Sequence, residues 1–394
     1  MRAAIDKRAM VLLSGGHLAT DFANGALPAL LPYFKDRFGL SYTLTALLML
    51  ASAASSSVIQ PLFGFLSDRR GALWLAPAGV AVAAAGIALA ADAPSYWLVF
   101  ALVVCSGIGV AAFHPEGSKF AAYASGRRRA SGMAVFSIGG NVGFALGPLA
   151  VGVIVAAHGL RGGLALAVPG LVVAALLVAS HRYLASFAPN GEERTAATRD
   201  GDSPRGLALL LGIITVRSFS WMGLITFIPL WEVSLGHSKA YGNHLLALML
   251  LVGGIGTVVA GPAADRLGRR PVLMASMIAA PPLVVGFIVF GGVAGAICLA
   301  LFGVSVVGTF GVTMVMSQEY LPSRIGTASG LSIGFSIGLG GIGAVALGAL
   351  ADSVDLRAAL WATALVPLVA IVLGLRLPSS RRLPELRLQP VSES

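Results

Sequence analysis

Apolar residues in this chain run in blocks, each about as long as a bilayer is thick. About 20 mostly apolar residues carry a helix across the hydrocarbon core. Twelve stretches meet that length: 10–33, 43–66, 72–91, 95–115, 130–157, 163–185, 206–231, 241–263, 271–290, 293–317, 325–350 and 357–377. Between them lie short polar connections. One connection is different: NGEERTAATRDGDSPR, residues 190–205, is long, charged and near the middle. The pattern predicts an all-α integral membrane protein with twelve transmembrane helices in two six-helix bundles. Residues 1–189 form the first bundle, 190–205 a cytoplasmic linker, and 206–394 the second bundle with a short cytoplasmic tail.

Composition agrees. The chain is 57% hydrophobic and 11% charged, against about 25% charged in soluble domains. Its 50 glycines suit helices that pack closely where water no longer drives them together. The net charge of +10 has a positional explanation. With the N-terminus inside, 21 of the 27 Lys and Arg residues fall in inner segments and five in outer loops, and Arg217 lies within a span. The positive-inside rule then places both termini in the cytoplasm, and no nucleic-acid partner is needed to explain the basic balance. Cys105 and Cys298 each sit in an apolar run and read as small core residues. The first apolar run is too long and too polar for a signal-peptide core, so a retained first helix is expected.

The two halves repeat. At a shift of 197 residues, Pro32 meets Pro229, Gly39 meets Gly236, Ser41 meets Ser238, and Gly64 and Asp68 meet Gly261 and Asp265. Glu116 has a counterpart in Glu319 at a shift of 203. Such repetition is typical of transporters whose substrate site lies at the midplane between the halves.

Gly64-Phe65-Leu66-Ser67-Asp68-Arg69-Arg70-Gly71 and the fuller Gly261–Arg270 copy resemble the paired loop motif of the major facilitator superfamily. Gly143-x-x-x-Gly147-Pro148 resembles part of the glycine-proline motif of its proton-coupled exporters. More narrowly, His17-x-x-x-Asp21, His114-Pro115-Glu116, Gly139-Gly140-Asn141 and Gln318-Glu319-Tyr320-Leu321-Pro322 resemble the fosmidomycin-resistance type of drug efflux transporter. The resemblance covers nearly the whole chain and implies transport by alternating access. Fold alone does not fix a substrate.

Within the spans, Arg217 is the sharpest anomaly. An arginine at the bilayer centre costs roughly 2.5–3.5 kcal/mol on insertion scales unless it finds a partner or a cavity. It reads either as an anchor for an anionic substrate, since guanidinium grips carboxylate or phosphonate bidentately, or as one half of an ion pair with an acid of the first helix. His17, Asp21 and Asn24 are spaced to share one helix face. Asp21 and His17 are candidates for proton coupling, with a structural hydrogen-bond network as the rival. His-x-x-x-Asp is a weak metal signal without a third ligand nearby in the chain, so no metal site is expected. Arg217, Asn24, Trp221 and Asn141 make up the candidate substrate-binding set. Met222 and Phe219 flank Trp221 as possible apolar lining.

The remaining charges gather at the inner ends of the spans. Asp68, Arg69, Glu116, His114, Asp265, Arg266, Arg269 and Glu319 make a candidate cytoplasmic gate. In it, Glu116 and Glu319 pair with the arginines when the inner side closes, and Asp68 and Asp265 sit near helix N-termini. Ordinary helix-end solvation is the alternative. Glycine rows at Gly139, Gly143 and Gly147, and at Gly326, Gly330, Gly334 and Gly338, predict close-packed seams.

The expected function is secondary active transport, as proton-coupled efflux of a small drug-like or anionic compound across the inner membrane. Proton-coupled import, solute exchange, and a non-transporting receptor are the rivals. No nucleotide-binding loop, G-x-S-x-G or H-E-x-x-H motif points to an enzyme or to ATP-driven transport. The expected partners are the small-molecule substrate, protons and the lipid bilayer, with no cofactor and a monomeric chain.

Overall fold

The computed structural model describes residues 4–70, 72–126, 128–188, 202–322, 328, 331–332 and 334–378, without the side chains of 67–70, 129, 130 and 335. The helices are α1 (Lys7–Phe38), α2 (Tyr42–Arg70), α3 (Leu75–Asp92), α4 (Tyr96–Ala124), α5 (Arg129–Ala150), α6 (Ala167–Ala179), α7 (Pro204–Ser234), α8 (Lys239–Leu267), α9 (Arg269–Phe290), α10 (Gly292–Tyr320), α11 (Gly340–Ser353) and α12 (Leu356–Leu365), the last continued by Pro367–Leu375. A π turn at Val151–Val155 extends α5, and another at Phe335–Leu339 precedes α11.

Among the described residues, ten stretches are long and apolar enough to cross a membrane. One of them, Ser131–Ala179, has 49 residues and breaks at Gly159, whose φ of 67° turns the chain back. The first helix, α1, is not among the ten, because it carries His17, Asp21, Asn24 and two prolines into the bundle. With that break and α1 included, the chain makes the twelve traverses expected from sequence. Turns after odd-numbered helices lie at one end, and turns after even-numbered helices at the other.

The sequence repeat marks helix ends. Asp6 and Ser203, 197 residues apart, cap α1 and α7 by accepting from the N–H of Ala9 and Gly206. Their own N–H groups donate to Ala124 O and Tyr320 O, the ends of α4 and α10. Ser238 caps α8, and the Ser41 hydroxyl accepts from Leu44 N in the first turn of α2. Each follows a glycine of positive φ, Gly39 at 60° and Gly236 at 88°, the region where a Cβ is disfavoured. Capping supplies partners for N–H groups that a helix start leaves over.

Three apolar clusters show how the halves meet. One contains residues of both halves, including Leu30, Phe34, Phe227 and Leu246. A second draws only on the first half, around Leu13, Phe113 and Phe120, and a third only on the second, around Ile213, Met277 and Met316. The shared cluster reaches the odd-turn end, where the two halves also exchange hydrogen bonds. Asn243 Nδ2 donates to Ala29 O at 3.2 Å, and Lys239 pairs with Asp36 at 2.5 Å. Across the interface, α2 packs on α11 and α5 on α8. The molecule is joined at the odd-turn end, and each half keeps its own core toward the even-turn end.

The α5 glycine row is a close seam. A Cβ on Gly139, Gly143 or Gly147 would meet Ser14 O at 2.4 Å, Leu18 O at 2.1 Å or Ala26 N at 2.5 Å, all on α1. The second row differs. Gly334 and Gly338 have open space where a Cβ would go, while Gly326 and Gly330 lie outside the described residues. Close packing on α11 comes instead from Gly340, Gly341, Gly343 and Gly348.

Gly143→Ala should therefore lower stability by about 1–3 kcal/mol, the cost of overpacking a filled interior. Gly338→Ala should leave it nearly unchanged. Thermal midpoints of the two purified variants in detergent check this; equal midpoints would contradict the seam.

Candidate functional site

A central cavity of about 620 Å³ lies between the halves. Both first helices of the halves contribute to its wall: Asp21 and Asn24 from α1, Arg217, Trp221 and Met222 from α7. Asn141 of α5, His114 of α4 and Phe310 and Thr313 of α10 also line it. All four candidate substrate-binding residues thus face one space. Asn24 and Trp221 are 197 residues apart, so a polar amide on one wall answers an indole on the other. Phe219 turns away and packs against Gly343.

Arg217 is 1% exposed. Its Nη1 donates to Thr309 Oγ1 at 3.1 Å and its Nη2 to Thr313 Oγ1 at 3.4 Å. Its Cζ lies 4.3 Å from the centre of the Phe310 ring, within the range of a cation–π contact. Nε has no partner. Among the described residues no carboxylate comes within ion-pair distance of Arg217, so the ion pair with an acid of the first helix is not formed. Two hydroxyls and a ring hold the guanidinium but leave its charge uncompensated. The sequence reading missed Thr309, Phe310 and Thr313, which present one face of α10 at spacings of one and four residues.

Asp21 has taken other partners. Its Oδ1 is 3.2 Å from His114 Nε2 and its Oδ2 is 3.2 Å from His17 Nε2. His17 Nδ1 lies 2.8 Å from Phe136 O, and its ring stacks on Phe136 at 4.2 Å. The carbonyl only accepts, so Nδ1 carries a hydrogen. A neutral His17 would then turn a lone pair on Nε2 toward an ionised Asp21, and the two would repel. Either imidazolium with carboxylate, or imidazole with carboxylic acid, removes the conflict. Each form holds one more proton than neutral His17 facing ionised Asp21. Gly140 makes room, because a Cβ there would lie 2.5 Å from His17 Nε2 and 2.7 Å from Asp21 Oδ2. Its neighbours in the Gly139-Gly140-Asn141 motif were the only signal for it.

The same three side chains are the group among the described residues that could ligate a cation, since their donor atoms lie within 4.8 Å of one another. The third ligand missing from the local sequence is His114, brought from α4. The N···O separations are hydrogen-bond lengths, and the Phe136 carbonyl holds the remaining His17 nitrogen, so the three side chains form one hydrogen-bonded cluster.

The gate residues are placed less uniformly. Pro115 does not end α4, which continues to Ala124; neighbouring helices support a proline inside a membrane helix. His114 is consequently a cavity residue rather than a helix-end one, a correction to its assignment to the gate. Glu116 is fully buried and pairs with Lys119 at 3.1 Å. Glu319 is likewise buried and lies 2.5 Å from Arg269. Asp265 stands in the last turn of α8, not ahead of a helix, because α8 runs on to Gly268, whose φ of 95° stops it. Arg266 is exposed beside it. The side chains of Asp68 and Arg69 lie outside the described residues.

The sequence profile of the Major Facilitator Superfamily matches residues 13–332 and 210–392. An uncharacterized MFS-type transporter, YfnC, of Bacillus subtilis (strain 168) is 33% identical over 95% of this chain and 94% of its own. The fosmidomycin resistance protein of Escherichia coli (strain K12) is 31% identical over 94% of this chain and 92% of its own. Among solved structures, a bacterial homologue of the human lysosomal transporter Spinster, inward-facing and unoccupied, superposes with a TM-score of 0.79 at 15% identity, covering 94% of this chain and 96% of that one. A D-xylose-proton symporter gives 0.74 at 14% identity, over 94% and 98%. With twelve traverses, a cavity between two repeated halves and these relatives, the chain is a multi-pass membrane transporter, not an enzyme, and it belongs to the Major Facilitator Superfamily.

Proposed function

We propose that the protein exports a small anionic, partly apolar compound from the cytoplasm across the inner membrane in exchange for protons, by alternating access. The observation that carries this reading is Arg217: a buried guanidinium on the cavity wall with no carboxylate beside it among the described residues. A charge in that position is balanced when an anion arrives. Trp221, Phe310 and Met222 offer apolar surface to the rest of the solute, and Asn24 and Asn141 offer hydrogen bonds. The likeness to a fosmidomycin resistance protein favours export and supplies a first probe.

The proton side of the exchange is assigned to Asp21 and His17, with His114 as the third member. Asp21 and His114 line the same cavity as Arg217. Proton arrival cancels the Asp21 charge, and substrate arrival cancels the Arg217 charge, so each lowers the cost of charge in the cavity at a different step. With basic segments at the even-turn end, the positive-inside rule directs that end and both termini to the cytoplasm. The joined odd-turn end then faces outward, and the cavity is poised to load from inside. Glu116, Glu319, Asp68, Arg69, Asp265, Arg266 and Arg269 are assigned to the inner gate; with the cavity open to the inside, the pairs Glu116–Lys119 and Glu319–Arg269 each join residues of one half. A single chain encloses the whole cavity, so a monomer is the working unit.

Purified protein in liposomes containing a pH-sensitive dye should show proton movement on addition of fosmidomycin under a pH gradient. Absence of any proton response to fosmidomycin or to simple aromatic carboxylates would overturn the anion-exchange reading. Arg217→Ala should weaken anion transport roughly 10- to 100-fold, the worth of a charge-assisted hydrogen bond, and Arg217→Lys should recover part of it. Near-normal transport by Arg217→Ala would remove the anchor role.

Asp21→Asn should stop proton-driven flux while leaving binding of fosmidomycin measurable. Gly140→Ala should disturb the same step by pushing His17 and Asp21 apart, visible as an altered pH profile of transport. An unchanged profile in Asp21→Asn would move the proton site elsewhere.

A further inference from the structure

At the odd-turn end a carboxylate of the second half reaches across the interface to the backbone of the first. Asp352 of α11 accepts from Tyr42 N at 2.7 Å through Oδ1, and from Thr43 N at 2.8 Å and Thr43 Oγ1 at 2.6 Å through Oδ2. Tyr42 and Thr43 are the first two residues of α2. A helix start leaves its first N–H groups without internal partners. In α2 the third of these, on Leu44, is taken by the hydroxyl of Ser41 in the same half. The first two are taken by the opposite half. The positive end of the helix dipole favours a negative group there.

The approach is built into α11. Gly348 lies one turn before Asp352 on the same helix face, and a Cβ on it would meet Tyr42 O at 2.8 Å and Thr43 Cα at 3.0 Å. Gly341, two turns before Gly348, sits against Leu50 and Ala53 of α2. A glycine face thus brings the two helices together, and the carboxylate closes the contact at its outer end. The repeat does not reproduce this device. The position 197 residues before Asp352 is Val155, in the π turn that extends α5, and among the described residues α8 starts with Ser238 as its own cap and no first-half carboxylate on its N–H groups.

We propose that Asp352 is the latch that holds the outer side shut: a carboxylate of the second half caps α2 of the first half when the cavity faces inward, and must release it for the cavity to open outward. The other charged groups at this end are Lys239 with Asp36, joining α8 to α1, Glu232 with His237 at the end of α7, Lys35, Arg37 and Asp92, Arg161, and Asp355, which caps α12 through Ala358 N, with Arg357. Lys35 donates to Leu40 O, and Arg37 lies 4.0 Å from Asp92, so neither supplies a substitute for Asp352 across the α2–α11 seam.

The test needs no substrate, so its outcome is separate from that of the anion-exchange reading. The full chain, with Cys105 and Cys298 replaced by alanine, would carry one reporter, Ala344→Cys. Ala344 is fully buried and lies between Gly341 and Gly348 on the face toward α2. Its reaction with a bulky hydrophilic maleimide reports opening of the outer seam. Asp352→Ala should raise the labelling rate roughly 2- to 30-fold, the range produced by losing an N-terminal cap. Asp352→Asn, which keeps the shape and one acceptor, should give an intermediate rate. An Asp352→Asn protein that elutes as folded monomer and labels at the parent rate would overturn the proposal, even if Asp352→Ala fails to fold. Thr43→Val, which removes the hydroxyl contact but keeps both backbone bonds, should accelerate labelling less than Asp352→Asn.

Discussion

Lipid offers no hydrogen bonds, and that constraint arranges everything else in this protein. Every polar group that enters the hydrocarbon region must be met by protein or by a water-accessible space. The polar residues of α1 and α7 are therefore turned to the centre, where the two halves leave a cavity between them. Arg217 rests on two threonine hydroxyls and a phenyl ring, and Asp21 on two imidazoles. Neither charge neutralises the other, although they occupy nearly equivalent places in the repeat. The result is a space with an acidic wall already occupied by internal partners and a basic wall still short of one.

Glycine makes that arrangement physically possible. The backbone of α5 touches that of α1 along Gly139, Gly143 and Gly147. Gly140, one residue round from that seam, leaves the gap that the His17–Asp21 pair fills. One short run of small residues thus both packs two helices and shapes the acidic wall. Larger side chains would separate α5 from α1 and move His17 away from the Phe136 carbonyl that fixes which ring nitrogen faces Asp21.

Much of this was legible in the sequence because lipid makes the exceptions conspicuous. Arg217 and Asp21 stand out in apolar runs, and the 197-residue repeat aligned Ser41 with Ser238, both of which the structure places as caps at helix starts. What was hidden depended on contacts distant in sequence. His114 was read as a helix-end residue, since Pro115 follows it, yet α4 continues for nine residues beyond the proline and places the imidazole on Asp21, 93 residues away. Thr309 and Thr313 are unexceptional in a membrane helix until a guanidinium lies over them. Gly334 and Gly338 have the spacing of a packing row, but spacing does not say whether a neighbour is present. Asp352 drew no notice because an acid near a helix end is ordinary; its partner belongs to the other half.

The π turn at Phe335–Leu339 has a mechanical meaning. It holds an extra residue in one turn, and Ser336 and Ile337 within it line the cavity. Each residue in a regular helix advances the azimuth by about 100°. Passing the extra residue along by one position would rotate the side chains it crosses by that angle while leaving both ends of the helix where they are. The stretch leading into α11 thus contains a dislocation, of the kind that lets a crystal slip one row at a time, at the level of the cavity. A wall with such a defect can change the chemistry it presents without its helix having to leave the bundle.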